Sequence, residues 1–245
     1  MNIISNENQS YVCYLDILGF KSRLKNIEFE KFYNDLIDFI SNEIAPSKDV
    51  FLCVFSDGIV IVSKIIENVI NVAFAIYSEA LKWGILIRGA LTKGVIYPFE
   101  MRKIGDNIVL PYLGAGFIEA YEMEKSVNCA AICVHDNIVT ELGQAIEGYI
   151  FKYRELFPTD KQNGDKYFLV SDIYNNFSVP LTILLKMKEE IPKVPNQHDF
   201  HKFIDTFLLY VKALKHKGID ISQFRDYCLQ IIENVIEDKG SKDLL

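Results

Sequence analysis

From Tyr11 to Leu18 the chain is apolar except for one acid, Asp16, and the run stops at Gly19, so it reads as a short strand that leads into a helix. Phe29, Phe32, Tyr33, Leu36, Ile37 and Ile40 then recur at three- and four-residue steps, one face of an amphipathic helix. That helix ends before Ala45-Pro46, because proline disfavours helix in the residue before it. Two strand-like runs follow, Val50–Phe55 and Ile59–Ser63, joined by Ser56-Asp57-Gly58; an Asp-Gly pair between apolar runs signals a hairpin. A second helix, Ile66–Trp83, carries Val69, Ala73, Ile76, Tyr77 and Ala80 on one face. Next come a strand over Ile85–Tyr97, interrupted by Arg88 and Lys93, a short strand over Ile108–Leu110, a helix over Gly114–Lys125 and a strand over Ala130–Val134. The order is β-α-β-β-α-β with additions, an α+β fold of the split βαβ or ferredoxin-like kind.

Beyond about residue 160 the texture changes to polar segments and helical patterns, with helices expected over Thr182–Glu190, Asp199–Lys215 and Ser222–Glu237. Residues 1–160 are therefore expected to form the core domain, and 161–245 a helical extension packed on that core or on a partner subunit. Half of the 245 residues are apolar and 24% are charged, an ordinary globular composition. The net charge of −7 argues against a broad basic face for nucleic acid, so an anion is expected to be held locally, by a metal or by backbone amides. The five cysteines are odd in number and lack CxxC spacing, which suits reduced core residues rather than a disulfide framework or a zinc site. With no leader-like N-terminus and no apolar run long enough to cross a bilayer, a cytoplasmic location with no membrane partner is expected.

The chemistry sits in two acids. Asp16 ends the first strand and Asp57 lies in the hairpin turn, and a split βαβ sheet lays the first strand beside the hairpin, so the two can meet at one end of the sheet. Converging carboxylates repel unless a cation lies between them, and Mg²⁺ held by two carboxylates and the phosphates of a nucleotide resolves the conflict. Gly19 lets the backbone turn tightly beside the next helix, where a phosphate finds amide donors. Taken singly, Asp16 also suits a strand-end cap and Asp57 an ordinary turn aspartate.

The stretch YLDILGF resembles the F-x-D-I-x-G-F segment of class III nucleotide cyclases, and VFSDGIVIV resembles their second motif, a hairpin carrying an aspartate. ILIRGALTKG is similar to the strand after the second helix of that family, and YLGAGFIEAYEME falls where its dimer-interface helix begins, so the resemblance covers about residues 10–135. It implies that Asp16 and Asp57 hold two ions, Mg²⁺ or Mn²⁺, with the Ile17 carbonyl completing the site and the amides near Leu18, Gly19 and Phe20 cradling a triphosphate. The implied reaction is attack of the ribose 3′-hydroxyl on the α-phosphorus, giving a 3′,5′-cyclic monophosphate and pyrophosphate.

The sequence departs from that pattern where the base is read. The positions of the lysine and aspartate that read adenine hold Cys53 and Pro111 or Tyr112, which favours a smaller base or a different reading of its edge. The family's asparagine and arginine for the transition state fall near Ile118 and Glu122. Arg88, Lys93, Arg102 and Lys103 are the basic alternatives, and Arg88 is favoured because it interrupts an apolar strand; a structural ion pair is its other reading. The combination looks most like the compact bacterial pyrimidine cyclases of the Pycsar antiphage systems. That resemblance implies a homodimer with composite sites, UTP or CTP as substrate, and a separate effector protein that receives the cyclic nucleotide. A degenerate cyclase-like module that binds nucleotide or a partner without turnover is the alternative. His198, Asp199 and His201 lack a further ligand for a metal site, and Gly114-Ala115-Gly116-Phe117 reads as a close helix-packing device rather than a dinucleotide loop.

Overall fold

The computed structural model describes residues 9–24, 27–44, 49–96, 102–104, 107–109, 114–127, 129–142, 150–152, 167–169, 205–207, 209–211, 213–215, 218, 220 and 222. Strand β1 (Gln9–Ile17) is followed by a single helical turn α1 (Phe20–Arg23) and helix α2 (Ile27–Phe39), which runs into a π-helical turn over Ile40–Ile44. The hairpin β2 (Phe51–Phe55) and β3 (Gly58–Ser63), helix α3 (Ile66–Lys82) and strand β4 (Ile87–Val95) complete the first half. A ribbon of β5 (Arg102–Ile104) and β6 (Asn107–Val109) precedes helix α4 (Ala115–Lys125). Strand β7 (Ile132–Val134), the short helix α5 (Asp136–Val139) and strands β8 (Ile150–Lys152) and β9 (Tyr167–Leu169) follow.

The main sheet has the order β2-β3-β1-β4-β7-β9-β8. Its first four strands are all antiparallel neighbours, which is the ferredoxin-like arrangement expected from the element order. Strand β1 lies between β3 and β4 and is covered on both faces. Cys13, Leu15 and Ile17 join Ile59 and Ile61 against Phe29, Phe32 and Leu36 of α2 and Val69, Ala73, Ile76 and Tyr77 of α3. Val12, Tyr14, Val60 and Val62 face α4 instead, through Ala120, Phe117 and Tyr121. The period-two alternation of β1 thus divides its side chains between two apolar layers, each buried aliphatic contributing about 1.5–3 kcal/mol.

The hairpin forms where the sequence placed it, but its glycine has another purpose. Phe55 pairs with Gly58, so the turn is Ser56-Asp57, and the left-handed residue is Ser56 at φ 55°. The Tyr33 hydroxyl donates to the Ser56 carbonyl at 2.8 Å and ties the turn to α2. A Cβ on Gly58 would meet Phe55 Cε2 at 2.8 Å and Tyr14 Oη at 2.9 Å, so the glycine provides room for two rings.

Strand β7 joins β4 in parallel after α4, and β9 lies between β7 and β8. The sheet therefore continues past residue 160, where the sequence texture changes. The described residues from 205 to 215 are helical, and Thr206, Phe207, Leu209, Tyr210 and Leu214 are buried. Ala130 N–H donates to Thr206 Oγ1 at 2.7 Å; the Tyr210 hydroxyl donates to that of Tyr77 at 3.2 Å, which donates to the Ala130 carbonyl at 2.7 Å. These bonds seat that helix on α3 and the approach to β7. Thr182–Glu190 and residues 223–237 lie outside the described residues. Among the described residues no helix is long and apolar enough to cross a membrane.

Candidate active site

The site is built on one row of residues across four strands. Phe55 faces Gly58, Gly58 faces Asp16, and Asp16 faces Arg88. Tyr14, two residues before Asp16, projects from the same face of β1. The Ile17 amide donates to the Asp57 carbonyl at 3.0 Å, which fixes the hairpin turn against the end of β1. Asp16 and the turn that carries Asp57 thus stand at the same end of the sheet.

The Tyr14 hydroxyl lies over Gly58, and its ring packs on Phe55, Phe117 and Tyr121. Burial pushes its ionisation well above the ordinary tyrosine value, and the negative charges of Asp16, Glu124 and Asp57 push it further in that order. All three carboxylates are therefore within electrostatic reach of the Tyr14 hydroxyl. Tyr33 feels burial first and then Asp57 in the same direction.

Arg88 occupies the centre of this charge cluster. Its Nε donates to Asp16 Oδ2 at 3.2 Å and forms an ion pair with Glu124 Oε1, and its NH1 donates to the Val127 carbonyl at 2.9 Å. Glu124 is not among the residues expected from the sequence motifs. Its signal is visible afterwards: Gly116, Ala120 and Glu124 form one i, i+4 stripe, the buried face of α4, so an acid stands where small residues otherwise touch the sheet. Gly94 and Gly116 let α4 and β4 meet backbone to backbone, as expected for the Gly114-Ala115-Gly116-Phe117 segment, and Gly114 adopts φ 90° at the helix start.

The phosphate-side expectations need one correction. The Leu18 amide donates to the Leu86 carbonyl at 2.9 Å, just ahead of β4, so this N–H is taken by the main chain rather than open to a phosphate. Gly19 does take a left-handed turn, at φ 75°, while the Phe20 ring is buried against Phe29 and Tyr33. Cys53 faces Val60, which faces Tyr14, so it shares the Tyr14 face of the sheet; it is half-buried, and burial raises its thiol ionisation.

The other basic candidates stand elsewhere. Lys93 pairs with Tyr11 in the sheet, five positions along β4 from Arg88, about 17 Å at strand spacing, and it bonds Glu141 at 2.8 Å. Arg102 and Lys103 lie on the separate β5–β6 ribbon. Ile118 and Glu122 fall on the outer side of α4, with Ile118 44% exposed and Glu122 paired to Lys125. Pro111, Tyr112, His198, Asp199 and His201 lie outside the described residues.

Among the described residues no group of three or more His, Cys, Asp or Glu side chains could hold a metal ion. The set Asp16, Asp57 and the Ile17 carbonyl is nonetheless all oxygen with two carboxylates, the donor chemistry that Mg²⁺ or Mn²⁺ takes when a substrate supplies further oxygens. These residues fit the ions that the resemblance implies.

No family model matches the chain, and no curated protein matches it. Among solved structures the chain is similar to a bacterial light-regulated adenylyl cyclase, with 12% identity and a TM-score of 0.45 over 73% of this chain and 97% of that one. It is also similar to the adenylyl cyclase CyaB from P. aeruginosa, at 12% identity and TM-score 0.45, covering 69% and 96% of the two chains. The guanylate cyclase domain of RhGC from Catenaria anguillulae, solved in complex with GTP, gives 17% identity and TM-score 0.45, covering 67% and 97%. At these values the likenesses carry no argument about activity.

Proposed function

We propose that this chain is a nucleotidyl cyclase that converts a nucleoside triphosphate, UTP or CTP in preference, to its 3′,5′-cyclic monophosphate and pyrophosphate. The observation that carries the proposal is the meeting of Asp16 and Asp57 at one end of the sheet, with the turn held to β1 by the Ile17–Asp57 main-chain bond. Asp16, Asp57 and the Ile17 carbonyl would hold two divalent ions, which when bound acidify the ribose 3′-hydroxyl and offset charge on the triphosphate. The chain's own residues set the frame. Asp16 and Asp57 supply anionic oxygens in a fixed register, and Arg88 orients the Asp16 carboxylate. Gly19 and Phe20 are proposed on the phosphate side, at the turn where β1 ends.

The base preference rests on Cys53 and the rings near it. A half-buried neutral thiol offers no cation to the edge of adenine, and Tyr14, Phe55, Phe117 and Tyr121 occupy space beside it, which favours the smaller base. With Ile118 and Glu122 directed outward on α4, the donor to the α-phosphate would come from a second copy of the chain, in a homodimer with composite sites. The cyclic pyrimidine nucleotide would then act on a separate effector protein in antiphage signalling. Incubation of the purified dimer with each of the four ribonucleoside triphosphates and Mn²⁺, with products identified by mass, tests the reading. A cyclic pyrimidine monophosphate is expected, and no cyclic product from any of the four would overturn it.

The Arg88–Asp16 bond favours a second reading, a cyclase-like module that binds nucleotide without turnover, because the guanidinium occupies one of the two acids. Calorimetric binding of UTP with no turnover in Mn²⁺ would select that reading.

A further inference from the structure

Glu124 is 2% exposed, on a helix stripe otherwise made of glycine and alanine, where an apolar side chain would serve packing without desolvating a charge. Its partner Arg88 spans three parts of the fold, reaching Asp16 on β1, Glu124 on α4 and the Val127 carbonyl beyond the end of α4. One guanidinium thus faces two carboxylates. Arg88 and Asp16 alone would form a neutral pair with nothing left over for a cation.

We propose that Glu124 is a positioning residue that lets Asp16 change partners, from Arg88 to a divalent cation. The proposal rests on reading Asp16 and Asp57 as the carboxylates of a cation site. The Arg88 side chain is only 15% exposed, and removing one partner of a buried ion pair is costly because the other charge stays behind uncompensated. Glu124 and the Val127 carbonyl keep Arg88 satisfied after Asp16 turns away. Glu124 also offsets the repulsion that Arg88 exerts on a cation at Asp16, and it does so without touching that cation.

The test uses the full chain with Mn²⁺ as the probe, its free fraction read by electron paramagnetic resonance. Wild type binds, and Asp16→Asn loses binding. Glu124→Gln binds about tenfold or more weakly, the scale of one charge–charge interaction in a partly buried site. The double variant Arg88→Gln/Glu124→Gln removes both charges of the pair and returns to within about threefold of wild type, which a merely structural role for Glu124 does not predict. A folded double variant as weak as Glu124→Gln overturns the proposal, as does a folded Glu124→Gln with wild-type affinity. The wild-type chain gives a check that needs no variant: in a Mg²⁺ titration followed by arginine ¹⁵Nε resonances, the Arg88 signal shifts while its N–H stays protected from exchange. Mg²⁺ binding with no response at Arg88 also overturns the proposal. Absence of Mn²⁺ and Mg²⁺ binding in wild type instead removes the cation site itself, so the two failures are distinguishable.

Discussion

Replacing Gly94 by alanine tests the placement of α4, and with it the meeting of Glu124 and Arg88. A Cβ on Gly94 lies 2.5 Å from Gly116 Cα and 2.9 Å from Gly116 N, whereas ordinary contact begins at 3.4 Å. The obstacle is backbone, so no side chain can rotate aside and α4 must lift by about 1 Å. Overpacking of this kind costs about 1–3 kcal/mol, and the stiffness of helix and strand puts Gly94→Ala at the upper end. For a chain of this size each kcal/mol lowers Tm by about 2–4 °C, so calorimetry should record a fall of about 6–12 °C. Gly116→Ala is the paired comparison. Its Cβ meets Gly94 Cα and Val12 Cγ2 at 3.1 Å, a misfit of a few tenths of an ångström, and alanine gains about 1 kcal/mol of helix propensity over glycine. Its Tm should therefore stay within about 3 °C of wild type. A Gly94→Ala protein that melts with wild type, or a Gly116→Ala protein that melts below Gly94→Ala, would refute the close crossing.

Tyr77→Phe removes the buried hydroxyl that accepts from Tyr210 and donates to the Ala130 carbonyl, so urea unfolding should show a loss of about 1–3 kcal/mol. Asp57→Ala retains the main-chain bond to Ile17 and removes a turn side chain that packs little, so Tm should hold within about 2 °C while any cyclase turnover disappears. Tyr14 and Tyr77 have ionisations raised chiefly by burial, so the unfolded chain releases protons above about pH 10 that the folded chain keeps. Their contribution is fully present below pH 10 and is lost as pH rises beyond it; urea midpoints that do not fall between pH 9 and 11 would contradict this.

The parts of the fold set by local pattern were legible. The hydrophobic periods marked β1, the hairpin, α2, α3, β4 and α4, and their order implied the β2-β3-β1-β4 sheet that juxtaposes Asp16 and Asp57. Strands β8 and β9 have three residues each, too few for a period to show, and their pairing with β7 is a tertiary outcome. The role of Gly58 was misread because Asp-Gly suggests a turn, whereas the turn is Ser56-Asp57 and the glycine makes space for Tyr14 and Phe55. Glu124 resembles the exposed acids around it, and only the crossing of α4 over β4 brings it to Arg88. The Leu18 amide could not be assigned either, because its acceptor, Leu86, lies far along the chain, ahead of β4.

If Asp16 and Asp57 act together as the carboxylates of a cyclising site, neither is dispensable for turnover. Pyrophosphate release and cyclic product should be followed together from a mixture of the four ribonucleoside triphosphates with Mn²⁺, for wild type, Asp16→Ala and Asp57→Ala, each shown to be folded. One pyrophosphate per cyclic pyrimidine nucleotide is expected from wild type, and neither product from either variant. Turnover that survives in a folded Asp16→Ala or Asp57→Ala protein would contradict the joint role of the two acids.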